Sequence, residues 1–257
     1  MYDLQRASFF KRISAFLFDS IIFSIITVGL ILIITTVTGY DGLVAEYEEH
    51  YDRYAAEYGI DGSMTKDEFN ELTEEEKQKY WDTEAKIEEA LRGDAEVRRI
   101  EQLLMNLTLL SVSVGLFLSF LLLEFAVPLF FRNGQTFGKK IFGVGVMRID
   151  GVKVAPPLVF VRGILGKYTI EVMVPLFIIL MILLGAMGIV GFAVLVMLVV
   201  FEIALVIRTK TNSMIHDAIS QTVTVDLASQ MIFESTEELI EYKKRIHAAD
   251  AERAEYN

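Results

Sequence analysis

Arg12 and Asp19 stand in the stretch FFKRISAFLFDSII (9–22), the start of a long apolar run, and Glu124 and Glu202 lie inside later apolar runs. An ionisable side chain near the middle of a membrane-spanning helix costs on the order of 2.5–3.5 kcal/mol on insertion scales, so such a group is expected to be paired, hydrated or at work. On a helix the seven positions from Arg12 to Asp19 make nearly two turns, which puts both side chains on almost the same face, about 10.5 Å apart. Burial without a cation raises a carboxylate pKa, so two carboxylates facing a hydrated cavity can exchange protons for a small cation. Asp19, Glu124 and Glu202 are the candidate ion-binding groups. Asp19 and Glu124 are preferred, because Glu202 is only about a turn and a half from Arg208 and close to the membrane boundary. Taken by itself, Arg12 is near enough to that boundary for its guanidinium to reach water. Together with Asp19 and a returning Asp217, it reads as an electrostatic tether between the two acids.

The elements that must position these groups are membrane helices. The 53% hydrophobic composition and mean hydropathy of +0.42 lie outside the range of an ordinary soluble domain. Four segments reach the roughly 17–25 apolar residues that a bilayer demands: Ile13–Val37, Leu103–Phe131, Thr169–Gly185 and Gly188–Ile207. The last two are nearly continuous, and GAMG (185–188) is read as the break between them. A cleaved leader is the other reading of the first segment, but Asp19 inside it and the absence of a small-residue cleavage pattern favour a retained helix. Lysine and arginine gather in the N-terminus, in the 132–167 connection and just after the fourth span. The expectation is therefore both termini cytoplasmic, in a multi-pass protein of the cell inner membrane. Residues 1–39 form the N-terminus and first span, 40–102 an outer loop, 103–226 the rest of the membrane domain and 227–257 a cytoplasmic helical tail. The expected fold is an all-α polytopic membrane protein with four transmembrane helices, a helical extracytoplasmic hairpin and a small cytoplasmic β element.

The formal charge of −11 belongs to the outer loop, where Asp41 to Glu101 hold 20 acids and 8 bases. Its polar helical pattern predicts a hairpin of two arms, the second running toward the second span. Between the arms, EYGIDGSMTKDEF (57–69) places Glu57, Asp61 and Glu68 at positions 1, 5 and 12 of a calcium loop, with Gly62 at position 6. Position 3, however, is Gly59. The other reading is a turn at Asp61-Gly62 followed by capping boxes at Thr65/Glu68 and Thr73/Glu76.

The second connection carries GQTFGKK (134–140) and then two β-prone runs around Asp150-Gly151, with a late strand candidate at Thr222–Val225. Pairing the late strand with the hairpin would bring SMIHDAIS (213–220) back under the helix bundle. GQTFGKK lacks the spacing of a nucleotide-phosphate loop and follows a membrane helix where a strand is required. RISAFLFD (12–19), GQTFGKKIFGVGV (134–146), Arg162 and HDAISQTVTV (216–225) together resemble the RDD family of bacterial membrane proteins, named for one arginine and two aspartates. The resemblance implies that Arg12, Asp19 and Asp217 are those three residues, and that the chain has a polytopic helical membrane domain for which sodium/proton exchange is one proposed role.

Two functions are expected. One is a transporter-like protein exchanging monovalent cations for protons, with Arg12, Asp217 and Arg162 pairing charges or gating access. The other is a non-transporting scaffold whose acidic hairpin and tail contact partners. Small residues at Gly185, Gly188 and Gly191 are read as a homodimer contact. His216 beside Asp217 is read as an ordinary hydrogen-bonded residue. No nucleophile, base and oxyanion set is visible, and neither an enzyme, a cofactor nor a nucleic-acid partner is expected. The lipid bilayer is the expected surrounding.

Overall fold

The computed structural model describes residues 4–60, 64–131, 133–209 and 211–255. Four helices are long and apolar enough to cross a bilayer: Phe9–Val37, Ala95–Phe130, Pro156–Leu183 and Gly188–Arg208. Together with a small two-stranded sheet they form a membrane protein that packs as two units, Met1–Thr27 with Phe117–Asn257, and Val28–Leu116. Large apolar side chains such as Phe16, Leu32, Phe192 and Val200 stay exposed on the spans, as lipid-facing surfaces require.

In the first unit, Ser8 caps the first span by accepting from the Lys11 amide at 3.3 Å. The third span differs from its expected bounds, because it starts thirteen residues before Thr169, at Pro156. The double proline suits a first helical turn, where an amide hydrogen is not needed. Arg162 and Lys167 give this stretch the charge of a solvated connection, yet both are paired inside the protein, so charge gave no true boundary. The break between the last two spans falls at Gly185, with φ +72°, and Gly188, with φ +47°. Gly191 serves this turn rather than an outer surface: an added Cβ there would lie 2.7 Å from Ile182 Cγ1.

Strands β1 (Val144–Arg148) and β2 (Thr222–Asp226) pair antiparallel, from Val144 opposite Asp226 to Arg148 opposite Thr222. Asp150-Gly151 does turn the chain, but the expected neighbouring strand shrinks to a single bridge between Met147 and Lys153. Pro156 and Pro157 follow too closely for a longer ladder. Met147, Val223 and Val225 are fully buried and pack with Leu4 and Ile232. The tail helix Thr236–Glu255 is attached at its start, where Leu239 joins Val152, Phe233 and Tyr242.

In the second unit, helices Tyr40–Tyr58 and Glu74–Gly93 form the two arms of the hairpin, with the short helix Lys66–Glu71 between them. Ala55, Ile87, Leu91 and Val97 make a core of their own, covered by Tyr47, Tyr51 and Tyr54. Both capping boxes form, at Thr65/Glu68 and Thr73/Glu76. The second arm stops at Gly93, and the second span restarts at Ala95 after Asp94, whose carboxylate accepts from the Glu96 amide at 2.8 Å.

Candidate functional site

The short helix Ile215–Ile219 leads into β2, so sheet pairing fixes where Asp217 lies. Its carboxylate is 1% exposed and accepts from Arg162 Nη2 at 2.8 Å and Nε at 3.0 Å. Thr222 Oγ1 donates to the same oxygen at 3.2 Å. The other oxygen, Oδ2, is buried without a hydrogen bond, and Arg12 Nη2 lies 3.7 Å from it. Arg12 is anchored instead by donating to the Asn212 carbonyl at 3.0 Å. Burial pushes the Asp217 carboxyl upward, but the charge and hydrogen bonds of Arg162, with the charge of Arg12 beside them, outweigh it and hold the group below the usual carboxylate range.

His216 extends this network. Its Nε2 meets Arg162 Nη2 at 3.1 Å, and its Nδ1 meets both Glu171 oxygens at 2.8 Å. Arginine has no acceptor, so Nε2 must accept and Nδ1 must carry the proton toward Glu171. Gly166 permits this approach, because a Cβ there would lie 2.7 Å from the His216 Cα.

Asp19 has different partners. Thr136 Oγ1 donates to one of its oxygens, and the Gly138 amide donates to the other at 2.7 Å. Thr136 also caps the short helix Phe137–Ile141. At Gly138 an added Cβ would fall 2.2 Å from the Ala15 carbonyl oxygen. The GQTFGKK stretch is thus a clasp on the first span, and its second glycine is required by close backbone approach. Glu124 lies in a π-helical turn, Leu121–Ala126, and is ion-paired with Lys167. An added Cβ on Gly163 would come 2.5 Å from the Glu124 carbonyl oxygen.

A cavity of about 350 Å³ opens among these elements. Its charged lining is Arg12, Asp19, Lys139, Arg162, Lys167 and Glu171, with His216 beside them. Burial and the charges of Arg162 and Lys167 lower the Lys139 ammonium to about 8, against the opposing pull of Glu124 and Asp19.

The residues singled out in the sequence thus fall into three groups. Arg12, Arg162 and Asp217 come together in one network. Asp19 lines the cavity but binds Thr136 and Gly138, so Arg12 does not bridge the two aspartates as expected. Glu124 is buried against Lys167, and it is Glu171 that faces the cavity with Asp19. Glu202 borders a separate groove with Val199, Ile203 and Met214. In the hairpin, Glu68 is engaged with Thr65 in its capping box, and Asp61 lies outside the described residues. Among the described residues there is no cluster of three or more metal-ligating side chains. Lys139, Lys167 and Thr136 are participants that periodicity could not find. Only the short GQTFGKK stretch pointed toward two of them.

No curated protein and no solved structure matches the chain. A family model does match, over residues 6–221, from before Arg12 to beyond Asp217. The clasp on Asp19, the Arg162–Asp217 pair and the His216–Glu171 contact all fall inside that match, and the chain belongs to the RDD family.

Proposed function

We propose that this membrane protein is transporter-like and works through the charged cavity, in the concrete form of monovalent cation/proton exchange. The observation that carries the reading is the convergence of ionisable groups from the first and third spans on one cavity lined by Asp19 and Glu171. Among the described residues neither carboxylate has a lysine or arginine nitrogen within 4 Å; Asp19 accepts from Thr136 and Gly138 and Glu171 from His216, and these are the contacts that a cation or a proton would exchange with. Glu171 contacts His216, which offers a route for protons to and from the carboxylate. Arg162 and Asp217 hold the wall, and the longer Arg12–Asp217 contact of 3.7 Å is the movable element. In this reading the basic N-terminus, the 132–167 connection and the basic stretch just after the fourth span face the cytoplasm of a cell whose inner membrane holds the protein. The role proposed is transport rather than catalysis.

The hairpin's separate core favours a second reading, a scaffold that offers an acidic surface to partner proteins. Four spans without an inverted repeat are few for a self-contained carrier, so the exchange reading also calls for a homodimer.

Purified protein in liposomes with an imposed pH gradient separates the two. Exchange predicts that sodium, potassium or lithium dissipates the gradient and that Asp19→Asn and Glu171→Gln each slow it. If all three cations fail, or if both variants match the wild type, the exchange reading is abandoned in favour of the scaffold.

A further inference from the structure

The same cavity has features that cation exchange does not use. Arg12, Arg162 and Lys167 each have an acidic oxygen within 4 Å. Lys139, among the described residues, has none. Burial first, and then the charges of Arg162 and Lys167, lower its pKa, while Glu124 and Asp19 pull the other way without pairing with it.

Apart from the charged groups and from His216, Asn212 and Thr224, the lining is apolar, and the part of it on the first span faces outward. Phe9, Ile13 and Phe16 line the cavity from the first span, yet Phe9 is 68% and Phe16 58% exposed. The cavity therefore opens along the outer face of a membrane-spanning helix. A volume of about 350 Å³ suits a small polar head, while long hydrocarbon chains would have to lie outside it, along that helix. Basic pockets between spans, at the end where lysine and arginine are in surplus, are suited to acidic lipid heads.

We infer that the cavity binds the phosphate head of an anionic phospholipid, with Lys139 and Arg12 facing the phosphate and Phe9, Ile13 and Phe16 against the start of the acyl chains. The site does not depend on exchange: a chain that moves no cation would still hold the lipid.

The test uses the full chain, purified in detergent and stripped of lipid. Phosphatidylglycerol or phosphatidylcholine with the same acyl chains is added, and bound lipid is read by native mass spectrometry. The site predicts retention of phosphatidylglycerol over phosphatidylcholine. Lys139→Gln should weaken phosphatidylglycerol binding about tenfold, the scale of one charge-assisted hydrogen bond. Lys153→Gln should not, because Lys153 lies outside the lining and pairs with Glu234 at 2.7 Å. Ile13→Trp adds bulk on the exposed lining and should exclude the lipid. It decides the matter if Lys139→Gln does not fold. Equal retention of the two lipids overturns the inference, as does binding by Ile13→Trp at the wild-type level. Displacement by inorganic phosphate at the lipid's own concentration would assign the site to a free anion instead.

Discussion

Asp217 and Asp94 are both held below the usual carboxylate range, for different reasons. At Asp94 the first cause is the Glu96 amide two residues on, with Tyr54 adding a hydrogen bond. At Asp217 burial works the other way, and the carboxylate stays ionised because Arg162, fifty-five positions away in sequence, reaches it. Their side chains are 17% and 1% exposed. A carboxylate held by local backbone near water is replaceable, whereas one held by a distant cation in the interior makes the fold depend on that pair.

The sharpest way to break this contrast is Arg162→Ala. It leaves Asp217 buried without its main cation and should destabilise the protein by about 3–5 kcal/mol, read from unfolding in detergent. A loss no larger than that of Arg53→Ala, which trims an exposed partner of Asp94, would erase the distinction. Replacing Arg162 and Asp217 together by Met and Leu should recover part of the loss, since the buried pair then goes as a unit while Arg12 keeps its hydrogen bond to the Asn212 carbonyl but loses its acid.

Glycines give the next largest difference. Gly138→Ala puts a Cβ into the Ala15 carbonyl and should cost about 1–3 kcal/mol as overpacking. Gly42, in the first arm of the hairpin, has nothing within 4 Å of an added Cβ. Gly42→Ala should therefore be neutral or stabilise by about 0.4–1 kcal/mol, through a less flexible unfolded chain. Between these two effects in size, Thr73→Ala removes a helix cap and should cost about 1 kcal/mol by the same unfolding measurement.

The smallest effect is one of pH. Asp217 has a folded pKa below its unfolded value of about 3.9, so on acidification the unfolded chain takes up the proton first. Its contribution to stability is complete above that unfolded value and is lost as pH falls through the folded one. In Arg162→Ala burial is no longer outweighed, so the folded pKa rises and the part of the acid loss that Asp217 contributes shrinks or reverses, visible as a flatter fall of the melting midpoint during acid titration. Coincident acid profiles for the two proteins would count against Arg162 as the group that keeps Asp217 ionised.

Spans and caps were legible because their causes are local. Apolar length identified four helices, and the Thr-x-x-Glu pattern identified both capping boxes. The early start of the third span was not legible. Arg162 and Lys167 have the polarity of a loop, and only their distant partners make a membrane helix tolerable there. The same limit applied to Glu124, chosen as a cavity carboxylate from its depth alone, while the residue that removes it from that role lies forty-three positions away. Arg12 and Asp19 were correctly placed about two turns apart on one helix face, yet a shared face did not give them a shared partner.

By itself, then, the sequence determined the class of protein, the number of spans, the helix caps and the residues whose charge would be costly in a membrane. These follow from hydropathy, length and short-range hydrogen bonding, which act within a few residues. Only the tertiary structure decided the pairings: Asp19 with the GQTFGKK clasp, Glu124 with Lys167, Glu171 with His216 and Asp217 with Arg162. A charge in a low-dielectric interior must find a counter-charge or a hydrogen-bond donor, but several partners satisfy that need equally well in one dimension. Backbone approach at three glycines, Gly138, Gly163 and Gly166, selects among them.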